Sequence, residues 1–262
     1  MVLGELGTSC GVHSAMIECI HNATMNGTKK KNLSTDWHVS IQQSVVQRQL
    51  WQWGLSFLGV LLICDLVFTV IAPISEPSLR RLFDFAREDS LPSWISWVLG
   101  VSVAGAAFIC YLRTKTRGWA VASAFFFYLA MDDGANIHER IGSVLASQRF
   151  FEWFPSYRWQ VVFIPVFATI GLYLLWFLVK EIKILSLRRQ LLLAFACYGI
   201  AVSLDAIEGI PGAFDSLARN TGVSFFLTNH YTRLVEECIE LTGMALFLSA
   251  FLRASSLLSS RQ

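Results

Sequence analysis

The sequence predicts an all-α membrane protein, a polytopic bundle of six transmembrane helices with both termini in the cytoplasm. Three observations carry that prediction. The 262 residues are 54% hydrophobic and only 15% charged, with a mean hydropathy of +0.51, whereas soluble domains carry about 25% charged residues. Six stretches approach the roughly 20 apolar residues that cross a ~30 Å hydrocarbon core. Basic and indole side chains also follow the pattern of a membrane's two faces.

The first 50 residues are polar, rich in Asn and Thr, and interrupted by the run Lys29–Lys31. They hold no 7–15-residue apolar core, so they read as a disordered cytoplasmic tail and not as a signal peptide. The sequons at Asn22, Asn26 and Asn32 are then chance. Cys10, His13, Cys19 and His21 form too cramped a chelate for the usual zinc spacings.

The membrane domain spans 51–252, with helices at about 51–73, 92–112, 118–140, 158–180, 190–210 and 229–252. The first holds a single acid, Asp65. A lone Asp on an apolar helix is expected to serve packing or hydrogen bonding, at most behind the direct ligands of a site. The loop that follows mixes Arg80, Arg81 and Arg87 with Glu76, Asp84, Glu88 and Asp89. The second span carries no charge. The third ends in Asp132, Asp133, His138, Glu139 and Arg140, the fifth in Asp205 and Glu208, and the sixth begins with His230, Arg233, Glu236, Glu237 and Glu240. These three lose hydropathy to their acids, but their strong apolar halves and the short charged loops around them still read as spans. Residues 253–262 form a short cytoplasmic tail.

Lys and Arg set the orientation. With the N-terminus inside, cytoplasmic segments hold 13 of the 21 basic residues, among them Arg48, Arg113, Lys115, Arg117, Lys180, Lys183, Arg188 and Arg189. Eight of the nine Trp fall at helix ends, as residues that prefer the headgroup level do. The net charge of +2 comes with no basic run resembling a nucleic-acid surface. Cys64, Cys110, Cys197 and Cys238 lie in spans, where a thiol packs as a small apolar group.

The acids share one depth. At 1.5 Å per residue, Asp132 lies ~21 Å along a helix starting inside, Asp205 and Glu208 ~22–27 Å along another, and Glu236 and Glu240 ~10–17 Å from an outer start. Asp65 also falls at ~21 Å. At 100° per residue, Asp132, Asn136 and Glu139 share a face, and His230, Arg233, Glu236, Glu237 and Glu240 form one polar stripe. Stripes of this kind face a bundle interior or a cavity. His138 sits about 120° off the Asp132–Glu139 face and joins it only through a helix distortion, which Gly134 is placed to supply.

An ionised carboxylate in hydrocarbon costs at least about 2.5–3.5 kcal/mol, so the set requires metal, protons or basic partners. Asp132, Asp133, His138, Glu139, Asp205, Glu208, His230, Glu236, Glu237 and Glu240 are the candidate ligands. Carboxylates with one or two imidazoles suit Zn²⁺, Fe²⁺ or Mn²⁺, and carboxylates alone suit Mg²⁺. Asp132, Glu139, Arg140 and Arg233 are the candidate catalytic residues, the two arginines as anion or headgroup clamps. A structural alternative pairs Arg233 with Glu237 at i,i+4, and Arg140 with Asp132 or Asp133.

At these motifs the chain resembles a family of bacterial polytopic membrane proteins with no established activity. The motifs are Glu88-Asp89-Ser90-Leu91-Pro92-Ser93-Trp94, then Met131-Asp132-Asp133 with Ile137-His138-Glu139-Arg140-Ile141, and Glu236-Glu237-Cys238-Ile239-Glu240 running to Gly243. The second acid of the middle motif is usually Glu, and this chain has Asp133. The resemblance covers about Leu82–Leu252 and implies one fold, one site and a bacterial inner-membrane location, but no reaction. Three readings stay open: a divalent-metal-dependent membrane enzyme acting on a lipid or small amphiphile, a proton- or ion-coupled transporter, and a structural subunit with a polar packing network.

Overall fold

Apolar runs bounded by caps and charges become helices, and the described part of the computed structural model (residues 48–49, 51–71, 77–146, 154 and 156–259) is helical nearly throughout. In chain order the elements are α1 (Trp51–Thr69), running on into a π-helical turn over Val67–Ile71, then α2 (Pro77–Phe83) and α3 (Leu91–Thr114). α4 (Arg117–Ala135), α5 (Ile137–Ala146), α6 (Trp159–Glu181), α7 (Leu185–Glu208), α8 (Ala213–Thr221) and α9 (Phe225–Ser259) follow. The chain divides into two units, residues 1–59 and 60–262. The predicted tail, and with it Cys10, His13, Cys19 and His21, lies outside the described residues apart from 48–49.

Local chemistry sets the ends. Ser90 caps α3 by accepting the Ser93 N–H at 3.4 Å, and Pro92 occupies the first turn, where its missing N–H costs nothing. α3 stops at Lys115, whose φ of 56° turns the chain and returns its N–H to Tyr111 O at 2.7 Å. Asn136, at φ 52°, ends α4 in the same way. Asn tolerates this left-handed conformation better than most residues. The third predicted span is therefore two helices, and the break falls at Asn136, two residues beyond the expected Gly134.

Five helices are long and apolar enough to cross a membrane: α1, α3, α6, α7 and α9. They make this an integral membrane protein. α7 and α9 qualify despite their acids, as expected, because their apolar halves outweigh the polar ends. α4, with Asp132 and Asp133 in its last turn, is not among the five. α9 runs on past the expected end near 252, with Ala254 and Ser255 buried.

α3 packs on α4 and α9, and α7 on α9. Small residues allow this. Gly100, Ala104, Ala106 and Ala107 are buried on α3, and a Cβ at Gly100 would lie 2.9 Å from Ala130 Cβ. Where α3 ends and α4 begins, Trp119 meets Phe177 and Phe251 edge-on at 5.7 and 5.2 Å, and Phe126 and Phe247 complete an aromatic core. The apolar core thus fills one end of the bundle. The acids occupy the other, where α3 and α9 begin and α4 and α7 end.

Candidate functional site

The tightest group joins three elements. His230 on α9 is 4% exposed, Asp65 on α1 is 1% and Asp84, in the loop after α2, is 8%. His230 Nε2 lies 2.9 Å from Asp65 Oδ2, and its Nδ1 lies 3.4 Å from Asp84 Oδ1. Asp65 Oδ1 also accepts the Phe85 N–H at 3.2 Å, and Asp84 Oδ1 accepts the Ala86 N–H at 3.0 Å. Burial opposes ionisation of Asp84, but His230, the Ala86 N–H and Arg80 together hold its carboxyl below the ordinary value. Among the described residues this is the group of three metal-type side chains whose donor atoms all lie within 4.8 Å of one another. One ion takes only one imidazole nitrogen, whereas here each nitrogen faces a different acid. That geometry suits a hydrogen-bonded clamp fastening α1 and the α2–α3 loop to α9.

The second group turns on the break at Asn136. It brings His138 back over the end of α4, where Asp132 accepts both its backbone N–H (Oδ1, 2.9 Å) and a hydrogen bond with Nδ1 (Oδ2, 2.9 Å). The angular mismatch of an unbroken helix is thereby removed. Both Asp132 oxygens are engaged with His138, so Asp132 orients the ring and leaves Nε2 as its outward atom. Glu240 lies within electrostatic reach of Asp133, His138, Asp205 and Asp132. Glu237 is close to Glu240, Asp133, Glu236 and Glu88, and Glu236 to Asp205, Glu208, Glu240 and Arg233.

The third group satisfies its charges. Glu208 Oε1 accepts Arg233 Nε at 2.7 Å and Tyr157 OH at 3.2 Å, and Arg233 Nη2 also bonds it. Arg233 reaches Ala86 O through Nη1 as well. The Arg233–Glu237 pair of the structural alternative gives way to this contact between helices. Gln160, 1% exposed, donates Nε2 to Asp205 Oδ2 at 2.9 Å. Its Oε1 is buried without a hydrogen-bond partner, as are Asp133 Oδ2 and Tyr198 OH.

The loop before α3 supplies the rim. Glu88 lies beside Glu139, and partial burial followed by the Glu139 charge pushes Glu88 up to about 7. Hydrogen bonds from Arg87 and Arg81 hold the exposed Asp89 down at about 2. Arg87, Glu88, Asp89, Asn136, Arg140 and Arg233 line an open depression of about 580 Å³. Arg140 forms no ion pair with Asp132 or Asp133.

Sequence reasoning missed Asp84, Glu88 and Gln160 as site residues, and it ranked Asp65 below its partner His230. Asp84 sits in a loop that reads as solvated. Its one signal is its apolar flank, Phe83 and Phe85, the latter 1% exposed.

A family model described as Domain of unknown function (DUF8692) matches residues 54–254. The chain belongs to this family. The DUF8692 match contains every residue of the three groups, from Asp65 to Glu240, and stops short of the N-terminal tail. No curated protein and no solved structure matches the chain.

Proposed function

We propose that this DUF8692 protein is a divalent-metal-dependent membrane enzyme acting on a lipid or small amphiphile at the outer face of a six-helix bundle with cytoplasmic termini. One observation supports this above others. Nine carboxyl groups (Glu88, Asp132, Asp133, Glu139, Asp205, Glu208, Glu236, Glu237 and Glu240) gather at one end of the bundle. Arg233 and, when protonated, His138 lie among them as cations. Buried oxygens without partners ask for an explanation, and Asp133 Oδ2 and Gln160 Oε1 are acceptors of the kind a hard cation takes. In this reading Asp133, Glu237 and Glu240 hold the cation, with Asp205 and Glu236 nearby. His138 offers Nε2 and Asp132 fixes its ring. Glu139 acts as a base at the rim. Zn, Fe, Mn and Mg all suit this mixture of oxygens with one imidazole.

A proton- or ion-coupled carrier is the second reading. Among the described residues no three of the nine acids and His138 bring donor atoms within 4.8 Å, and protons neutralise spread-out carboxylates without a common point. Metal analysis of protein purified without chelator separates the two. Stoichiometric metal is expected, weakened ~10–100-fold by Asp132→Asn, since removing a ligand's carboxylate partner has that effect. Absence of metal, with pH-driven flux in liposomes, overturns the enzyme reading in favour of the carrier.

A further inference from the structure

The depression beside the acids carries its own chemistry. Of its three arginines, Arg87 reaches Asp89 through Nε at 2.9 Å and Arg233 is held by Glu208. Asp89 is shared with Arg81 as well, and Glu88 lies beside Glu139. Of the two acids of the lining, Asp89 is thus neutralised by protein partners. Arg140 is exposed, and its guanidinium has no ion pair or hydrogen bond among the described residues. A planar fork of donors in that setting matches an oxyanion, and phosphate above all.

The surroundings say where the phosphate comes from. Gly134 also lines the depression, and a Cβ there would lie 2.8 Å from the Trp97 ring. Trp97 in turn packs against Trp94, ring centroids 5.9 Å apart, and Trp94 is 67% exposed. Indoles of this kind mark the headgroup level of a bilayer. Val98, one turn along α3 from Trp94, and Met131, one turn back along α4 from Gly134, present exposed apolar surface. An anion site at that height, with apolar surface running away from it, fits a molecule with a charged head and an acyl tail.

We infer that the depression takes the phosphate headgroup of a membrane lipid, with the Arg140 guanidinium as its principal contact and Asn136 and Arg87 beside it. This rests on the enzyme reading for its purpose, since it names that enzyme's substrate class as phosphate-bearing lipids, but the binding needs no metal.

The test is isothermal titration of the full-length chain in detergent, treated with chelator. Short-chain phosphatidate is compared with the matching diacylglycerol, which lacks the phosphate, and with inorganic phosphate. Phosphatidate is expected to bind at least tenfold more tightly than either. Arg140→Gln is expected to weaken phosphatidate about tenfold or more, as loss of a charge-assisted contact does. Its unfolding temperature should match the parent's, because the side chain is exposed. Equal binding of phosphatidate and diacylglycerol overturns the site. So does an Arg140→Gln variant that binds phosphatidate as well as the parent, or binding that vanishes in chelator. Inorganic phosphate binding as tightly as the lipid overturns the lipid source. Metal content decides the enzyme reading separately, so either can fail alone.

Discussion

Replacing His230 by Leu tests the clamp between α1, α9 and the α2–α3 loop. The substitution removes the group that stands between Asp65 (2.9 Å) and Asp84 (3.4 Å). The two acids that remain are buried, with oxygens within 4.8 Å of each other. At an effective dielectric of ~20, two unit charges at that distance repel by about 3.5 kcal/mol. Arg80 offsets part of this, and one acid can take up a proton to escape the rest, at its own cost. Two hydrogen bonds to ionisable partners also go, each worth about 1.5–3 kcal/mol. The backbone N–H bonds from Phe85 and Ala86 remain and limit the loss. The net expectation is about 3–5 kcal/mol of destabilisation, as for other buried pairs broken on one side. Reversible chemical unfolding in detergent micelles measures it, and a double-mutant cycle with Asp65→Asn isolates the pair. A loss below about 1 kcal/mol, or a coupling energy near zero, would refute the clamp. Recovery of stability on adding zinc to the parent, with none in His230→Leu, would show an ion where we place hydrogen bonds.

Two further outcomes follow from other parts of the structure. The unfolded Glu88 carboxyl loses its proton near 4.5 and the folded one holds it to about 7, so the folded state keeps a proton that the unfolded state has lost between those values. Stability should therefore decline as pH rises from ~4.5 to ~7 and level off above. Glu88→Gln should flatten that slope, and an unchanged slope would refute the assignment of that proton to Glu88. At Gly118 a Cβ would lie 2.4 Å from the Phe177 ring, which Trp119 and Tyr173 hold in place. Gly118→Ala should cost about 1–3 kcal/mol. Gly105→Ala, with open space around its Cβ, should be neutral or gain up to ~1 kcal/mol. Equal effects in thermal unfolding would contradict the packing.

What the sequence determined by itself is what a helix determines by itself. Rise and rotation per residue are local properties, so the common depth of Asp132, Asp205, Glu236 and Glu240 and the polar stripe on α9 were legible from numbering alone. So was membrane residence, because apolar length is counted along the chain. Partners belong to the tertiary structure. Arg233 chose Glu208, 25 residues away, over Glu237 one turn along, since the packing of α7 on α9 decides which acid comes within reach. Asp84 became one of the most buried acids only because the loop carrying it folds back onto His230 and Asp65. Asn136 is the intermediate case. Its tolerance of a positive φ was visible in its side chain, but that α4 breaks there, and so returns His138 to Asp132, was settled by the contacts on either side of the break. Hydrogen bonds between elements depend on distances that no single element contains, which is why the acids were legible one by one and their partners were not.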